Sequence, residues 1–233
     1  MAVLLQYIQP SIYISNIRID EPVTALTDLV FATVCFYALY RIKRQGEPGR
    51  IKALFTYYFL TLGLSAFFGG LFGHAFLYGL SAPWKLISWI FTLASVGIIT
   101  HALIEMSRSL IKPFLVRVVT WINLLFLLMA LFHTIWTLEF VAVKYYTTFG
   151  MLAVVGSLSY LIFQKTGNRG VVSLMIAVGI GFVSVVVFSY KWGFSPWFNH
   201  NDISHVILAF SALILYKGAS EIVETPVHLP EQN

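Results

Sequence analysis

The chain has 233 residues, of which 58% are hydrophobic and 11% charged, and its formal net charge is +5. Soluble domains average about 45–50% apolar and about 25% charged residues, so this composition excludes a water-soluble fold and predicts an integral membrane protein. The basic residues fall in short connections between apolar stretches and form no continuous basic face, so nucleic acid is not an expected partner.

Residues 1–21 are predicted to form a segment that lies at the membrane surface and is retained in the mature protein. The segment is rich in leucine and isoleucine, but it lacks a basic start and Pro10 divides its apolar residues. A secretory signal requires a charged start and an unbroken apolar core. Membrane lipid is therefore an expected partner of this segment.

Seven apolar stretches are long enough to cross a bilayer as helices, which takes about 20 residues each. We place them at residues 22–42, 52–79, 84–109, 114–136, 139–164, 169–191 and 201–219. Glycine and proline residues separate them, as in Gly46-Glu47-Pro48-Gly49. The predicted fold is an all-α bundle of seven transmembrane helices over residues 22–219, followed by a disordered tail over residues 220–233.

The positions of lysine and arginine predict the orientation of this bundle. If the N-terminus is outside, eleven basic residues lie on the cytoplasmic side and four on the outer side. The four are Arg18, Lys85, Lys144 and Lys191. Cytoplasmic loops carry an excess of basic residues, so we expect the N-terminus outside and the C-terminus inside.

The segment Asn201-Asp202-Ile203-Ser204-His205 opens the last apolar stretch with three side chains that can bind metal. Asn201 and His205 are four residues apart and Asp202 and His205 three apart, so each pair shares one face of a helix. His74 ends the second stretch, after small residues that favour close helix packing. With the predicted orientation, both groups lie near the outer surface.

Asp28 lies about two turns inside the first predicted helix, at a similar depth. Ionisable groups inside a bilayer are costly, so such a cluster indicates a functional site. Catalytic zinc takes three protein ligands, and two histidines with an oxygen ligand suit it. We predict metal ligation by His74 and His205 with an oxygen ligand from Asp202, Asn201 or Asp28. Asp28 is also the candidate catalytic base or a partner that orients a ligand.

A histidine at the end of the second helix and a ligand pair four apart at the start of the seventh resemble the CREST superfamily. This superfamily of seven-helix membrane proteins contains the alkaline ceramidases, the adiponectin and progestin receptors and the hemolysin III proteins. The segments 27–29, 201–205 and 215–218 are also similar to bacterial membrane proteins of unknown function. The resemblance implies zinc at His74 and His205, a lipid amide or ester as substrate, and a bacterial cytoplasmic (inner) membrane as location.

The chain departs from the CREST pattern at three places. Asn201 stands where the superfamily has the first histidine of the seventh helix, and Gly70 stands where it has a serine. The stretch from Trp84 to Phe91 lacks the acidic residue expected near the start of the third helix. Asp202 and Asp28 are the groups available to take over these roles.

Two classes of function therefore remain open. The first is a zinc-dependent hydrolase of a lipid amide or ester. The second, which the departures favour, is a non-enzymatic sensor, small-solute or proton transporter, or assembly subunit with a buried polar network. A b-type cytochrome with His74 and His205 as haem ligands is a minor third alternative.

Overall fold

A small antiparallel hairpin precedes the first helix in the computed structural model, which describes residues 9–225. Strand β1 (Ile12–Ile14) pairs with β2 (Ile17–Ile19). Ser15 and Asn16 connect them with φ values of 49° and 68°, as the two central residues of a type I′ turn require. The predicted surface segment thus contains a defined hairpin. Residues 1–8 of this segment lie outside the part of the chain that the structure describes. Contact of the segment with a membrane stays a prediction.

Within residues 9–225, seven helices that are long and apolar enough to cross a membrane follow the hairpin. They are α1 (Pro22–Arg44), α2 (Arg50–Ala75), α3 (Ala82–Ser107), α4 (Pro113–Thr137), α5 (Val141–Thr166), α6 (Gly170–Tyr190) and α7 (His200–Glu224). The predicted number of helices is confirmed, and the architecture fits a multi-pass membrane protein. The side of the membrane that each end faces stays a prediction.

Helix α7 ends five residues later than the sequence predicted, at Glu224 rather than at residue 219. Ser220 Oγ donates a hydrogen bond of 2.9 Å to Oε1 of Gln45, and Ile222 and Val223 are buried. Residues 220–224 therefore belong to the helix and not to a disordered tail. Ser220 and Val223 contact the connection between α1 and α2, and Ile222 packs against Gly170 at the start of α6. Residues 226–233 lie outside the described part of the chain.

Helix α1 packs against both α2 and α7, and the other helices pack on their neighbours in the chain, with α3 also packed on α5. Helices α6 and α7 approach each other closely at Gly170 and Gly218, where a Cβ on Gly218 would lie 2.5 Å from the carbonyl oxygen of Gly170. Small residues allow such contacts between membrane helices. Because α1 lies between α2 and α7, one of its side chains can reach both.

Two helices contain π-helical segments. Helix α2 ends in one over Gly69–Ala75, and α5 contains one over Phe149–Gly156. The first segment carries His74, and both border the same internal cavity. Since π-helical turns often occur at functional sites, this cavity is where such a site is expected.

Candidate metal centre

Asp28, His74 and His205 meet at the junction of α1, α2 and α7, and their ligand atoms all lie within 4.8 Å of one another. Nε2 of His74 lies 3.8 Å from Oδ2 of Asp28, and Nδ1 of His205 lies 3.4 Å from Oδ1. The Asp28 side chain is only 7% exposed. The two histidines that the sequence placed near a common point therefore do lie together, with Asp28 against both.

A glycine allows the π-helical end of α2 to lie against α1 at this point. A Cβ on Gly70 would lie 3.0 Å from the carbonyl oxygen of Ala25 and 3.0 Å from Cβ of Asp28. Both separations are shorter than ordinary van der Waals contact between heavy atoms, about 3.5–4.0 Å. The absence of a side chain at position 70 therefore sets how closely His74 can approach Asp28.

Glu21 holds the other side of the His74 ring through a hydrogen bond with Nδ1. Its backbone has φ 43° and ψ 53°, in the left-handed region that is unfavourable for residues other than glycine. The hydrogen bond with His74 holds the pKa of the Glu21 carboxyl below its usual value. This residue was missed by the sequence analysis, although a lone glutamate directly before Pro22 at the start of a membrane helix is a recognisable signal.

His205 has a comparable partner in Thr27, whose Oγ1 lies 3.3 Å from Nδ1 of the imidazole. The Thr27 hydroxyl donates its proton to the carbonyl oxygen of Thr24 at 2.9 Å, so in the Nδ1-protonated tautomer it accepts a hydrogen bond from the imidazole. The same Nδ1 lies 3.4 Å from Oδ1 of Asp28. Binding of a metal ion between Asp28 and this nitrogen therefore requires the tautomer with the proton on Nε2.

The donor set fits a divalent metal ion such as zinc. The 3.4 and 3.8 Å separations between Asp28 and the two imidazoles exceed the 2.7–3.2 Å that is typical of an N–H···O hydrogen bond. Zinc bonds to nitrogen and oxygen of about 2.0–2.1 Å place neighbouring ligands of a tetrahedron about 3.4 Å apart. Two imidazoles and one carboxylate also match a common catalytic ligand set that leaves a fourth position open. A porphyrin does not fit between the rings, because the Asp28 carboxylate occupies that position.

Asp202, which the sequence analysis placed among the metal ligands, is instead a helix cap. Its buried carboxylate accepts hydrogen bonds from the backbone N–H of Asn199 at 2.6 Å, Oγ1 of Thr24 at 2.7 Å and Nε2 of Gln9 at 3.3 Å. With Asn199 it forms a capping box at the start of α7. Asn199 followed three residues later by Asp202 resembles the usual capping-box spacing, so this role was readable from the sequence. The carboxylate that lies with the two imidazoles belongs to Asp28.

Asn201 borders the same cavity as the triad, and its role as a metal ligand stays a prediction.

Two other histidines of the membrane helices lie apart from the triad. Nε2 of His101 is 3.2 Å from a guanidinium nitrogen of Arg50, and Nδ1 of His133 is 3.3 Å from Oγ1 of Thr137 on its own helix. Within residues 9–225, the titratable groups that can share a metal ion are the three of the triad.

The triad borders a cavity of about 450 Å³. The cavity follows α2 from His74 to Tyr58, a distance of roughly 24 Å at 1.5 Å per residue. Its far walls come from α3, α5 and α6 and are largely apolar. A space of this length and lining suits an extended acyl chain, with the triad near one end.

Comparisons with known proteins place the chain in a family without giving it an activity. None of the curated proteins and none of the solved structures matches it. A family profile matches residues 23–224, from the start of α1 to the end of α7. That profile describes a family of unknown function (DUF6962), and the chain belongs to this family.

Proposed function

We propose that the protein is a zinc-dependent membrane hydrolase that cleaves a lipid amide or ester. The observation that carries this proposal is the meeting of two imidazoles and a buried carboxylate at one end of a long apolar cavity. A metal site alone would suit many functions. Its position beside a space that accommodates an acyl chain favours a lipid substrate.

His74, His205 and Asp28 are the residues that would hold the zinc ion. When bound, zinc supplies Lewis acidity, which polarises a carbonyl group and activates water for attack on it. Glu21 and Thr27 orient the two imidazoles. Fixed ligand orientation lowers the cost of bringing the ligands to a common point.

Asp28 also has the chemistry of a proton acceptor, the role that the sequence analysis gave it. Its two oxygens face different imidazoles, Oδ2 facing His74 and Oδ1 facing His205. One oxygen can therefore take a proton while the other remains directed at the ligand set. The Asp28 side chain is largely buried, which strengthens electrostatic interactions at this position.

The proposal includes the orientation predicted from the loop charges, with the N-terminus outside a bacterial cytoplasmic membrane. The triad then lies below the outer surface, within reach of a lipid in the outer leaflet. The resemblance to the CREST superfamily, which includes ceramidases, supports the same substrate class. The departures at Gly70 and Asn201 are accommodated because Asp28 supplies the oxygen ligand.

Turnover of defined lipids in nanodiscs tests the proposal. The purified protein is incubated with an acyl-labelled ceramide, diacylglycerol or phosphatidic acid, before and after zinc is removed with a chelator and restored. We expect product only with zinc, and none from His74→Ala or His205→Ala. His133→Ala is the matched control and retains turnover. Equal turnover after chelation, or no turnover of any of the three lipids by zinc-loaded protein, contradicts the proposal.

Proton transport is the second candidate, because a buried carboxylate lies against two titratable imidazoles. Such clusters line proton pathways in membrane proteins. Proton flux into liposomes separates the candidates. A zinc-independent flux that Asp28→Asn abolishes would favour the transporter.

A further inference from the structure

Two lysines border the cavity at the same end as the triad. Lys85 lies in the first turns of α3 and Lys144 in the first turn of α5. Both are partly buried, whereas Lys191, at the same end of the bundle, is exposed. A lysine that merely reaches water from a membrane helix extends its ammonium outward. The burial of Lys85 and Lys144 and their position on the cavity wall indicate a different role.

Neither lysine forms an ion pair with a carboxylate among residues 9–225, and the Glu21 carboxylate acts on Lys85 from beyond ion-pair distance. The ion pairs of the described chain join carboxylates to Arg18, Arg50 and Arg108, and two histidines make the remaining contacts with carboxylates. Nζ of Lys144 has a weaker partner, the ring of Tyr145, whose centroid is 5.6 Å away. Two partly buried ammonium groups on one cavity wall give this end of the cavity a positive potential, which favours an anionic group.

The part of the cavity that is distant from the lysines favours an apolar group in a ligand that also carries the anionic group. Apolar side chains line it farther along the helices, among them Leu62, Val96 and Val178. A free inorganic anion would leave this apolar space unfilled. A lipid with an anionic headgroup would satisfy both parts.

We propose that the cavity binds a lipid with an anionic headgroup, such as a phosphate monoester, which Lys85 and Lys144 hold while the acyl chain lies along α2. This inference rests on the proposed function in one respect, since it takes this lipid to be the class of substrate. The binding itself does not require metal. It can therefore be tested apart from hydrolysis.

The test compares two probes that share their acyl chains, a dansyl-labelled phosphatidic acid and the corresponding dansyl-labelled diacylglycerol. Binding to the detergent-solubilised full chain is followed by energy transfer from tryptophan. Because two charge-assisted contacts distinguish the probes, we expect phosphatidic acid to bind at least about tenfold more tightly. The preference should disappear in Lys85→Met/Lys144→Met, with diacylglycerol affinity changed by no more than about twofold.

Three comparisons make the result decisive. Lys191→Met removes a cation from the same end without touching the cavity, and it should keep the preference. Lys85→Arg/Lys144→Arg keeps both charges and should also keep it, which separates loss of charge from loss of fold. The preference should also persist after zinc is removed with a chelator, so a failure of zinc-dependent hydrolysis leaves this result standing.

Equal binding of the two probes by the unaltered chain would overturn the inference. So would an equal loss of preference in Lys191→Met, since that would assign the effect to overall charge. Displacement of the phosphatidic acid probe by inorganic phosphate alone, at concentrations similar to those of the lipid, would also overturn it by showing that the acyl chain contributes nothing.

Discussion

Glu21 and His74 are joined through Nδ1 of the imidazole, whereas Nε2 of the same ring lies 3.8 Å from Asp28. One side of the ring is therefore held from the start of α1 and the other is presented to the buried carboxylate. This relationship joins a backbone conformation that is unfavourable for glutamate to the orientation of a candidate metal ligand. Backbone strain of this kind often occurs at functional sites, where surrounding contacts hold a residue in an unfavourable conformation.

The Glu21→Gln variant should weaken zinc binding by about 10–100-fold, because partners that orient a metal-bound histidine contribute about that much. The glutamine keeps the size of the side chain but loses its charge. The dissociation constant is measured by competition with a fluorescent chelator. Glu139→Gln, which neutralises an exposed carboxylate, serves as control and should bind zinc normally. Equal zinc affinities of the two variants would show that Glu21 does not orient His74 for metal binding.

Asp202→Ala should lower stability and leave the metal site intact. The change leaves three donors without their acceptor, on Asn199, Thr24 and Gln9, and each stranded buried group costs about 1–3 kcal/mol. We expect a lower midpoint of thermal unfolding in detergent, with zinc still bound below that temperature. Asp28→Asn should do the reverse, losing zinc while keeping most of the stability. Loss of zinc from the folded Asp202→Ala variant would instead support the role of Asp202 as a metal ligand that the sequence predicted.

Gly70→Ala should destabilise the junction of α1 and α2 by about 1–3 kcal/mol, the usual cost of adding atoms to a packed position. Its new methyl group would meet the Ala25 carbonyl oxygen and Cβ of Asp28 at 3.0 Å each. Gly73→Ala is the matched control on the same π-helical segment, since its methyl group would have no neighbour within 4 Å. Thermal unfolding and zinc affinity are measured for both. If the two variants had similar unfolding temperatures and similar zinc affinities, close packing at Gly70 would not determine the geometry of the site.

Gln9→Ala should destabilise the start of α1. The buried Gln9 side chain accepts hydrogen bonds from the backbone N–H groups of Val23 and Thr24 at 2.8 and 3.2 Å, and it donates to Asp202. It therefore caps α1, where Glu21 makes no cap, and loss of a cap costs about 0.5–2 kcal/mol. Gln45→Ala, which removes bonds at the other end of the bundle, is the comparison. Faster proteolysis near residue 20 in Gln9→Ala alone would confirm the capping role, and identical cleavage in both variants would contradict it.

The helices were predictable because the bilayer imposes a length on each apolar stretch. The structure places α4 at Pro113–Thr137, within one residue of the prediction at each end. The end of α7 was harder to predict, since its last residues are held by contacts with Gln45, Gly46 and Gly170, which are distant in sequence. The hairpin was missed because its turn is formed by Ser15 and Asn16, without the glycine that usually marks such turns.

The candidate site was predictable only in part. His74 and His205 could be placed at one depth from topology alone, and the structure brings their ring centroids to 5.9 Å. The choice between Asp28 and Asp202 as the oxygen ligand could not be settled by spacing, because both lie near the same end of the bundle. It depends on hydrogen bonds from Gln9 and Thr24 to Asp202, which join parts of the chain that are far apart in sequence.

The zinc content of the purified protein tests the central claim most directly. After equilibration with zinc and removal of the excess, metal is measured by mass spectrometry and protein by amino-acid analysis. One zinc ion per chain is expected for the unaltered protein and for His133→Ala, and none for His74→Ala/His205→Ala. A protein without zinc, or a double variant that retains it, would contradict the claim that Asp28, His74 and His205 form a metal site.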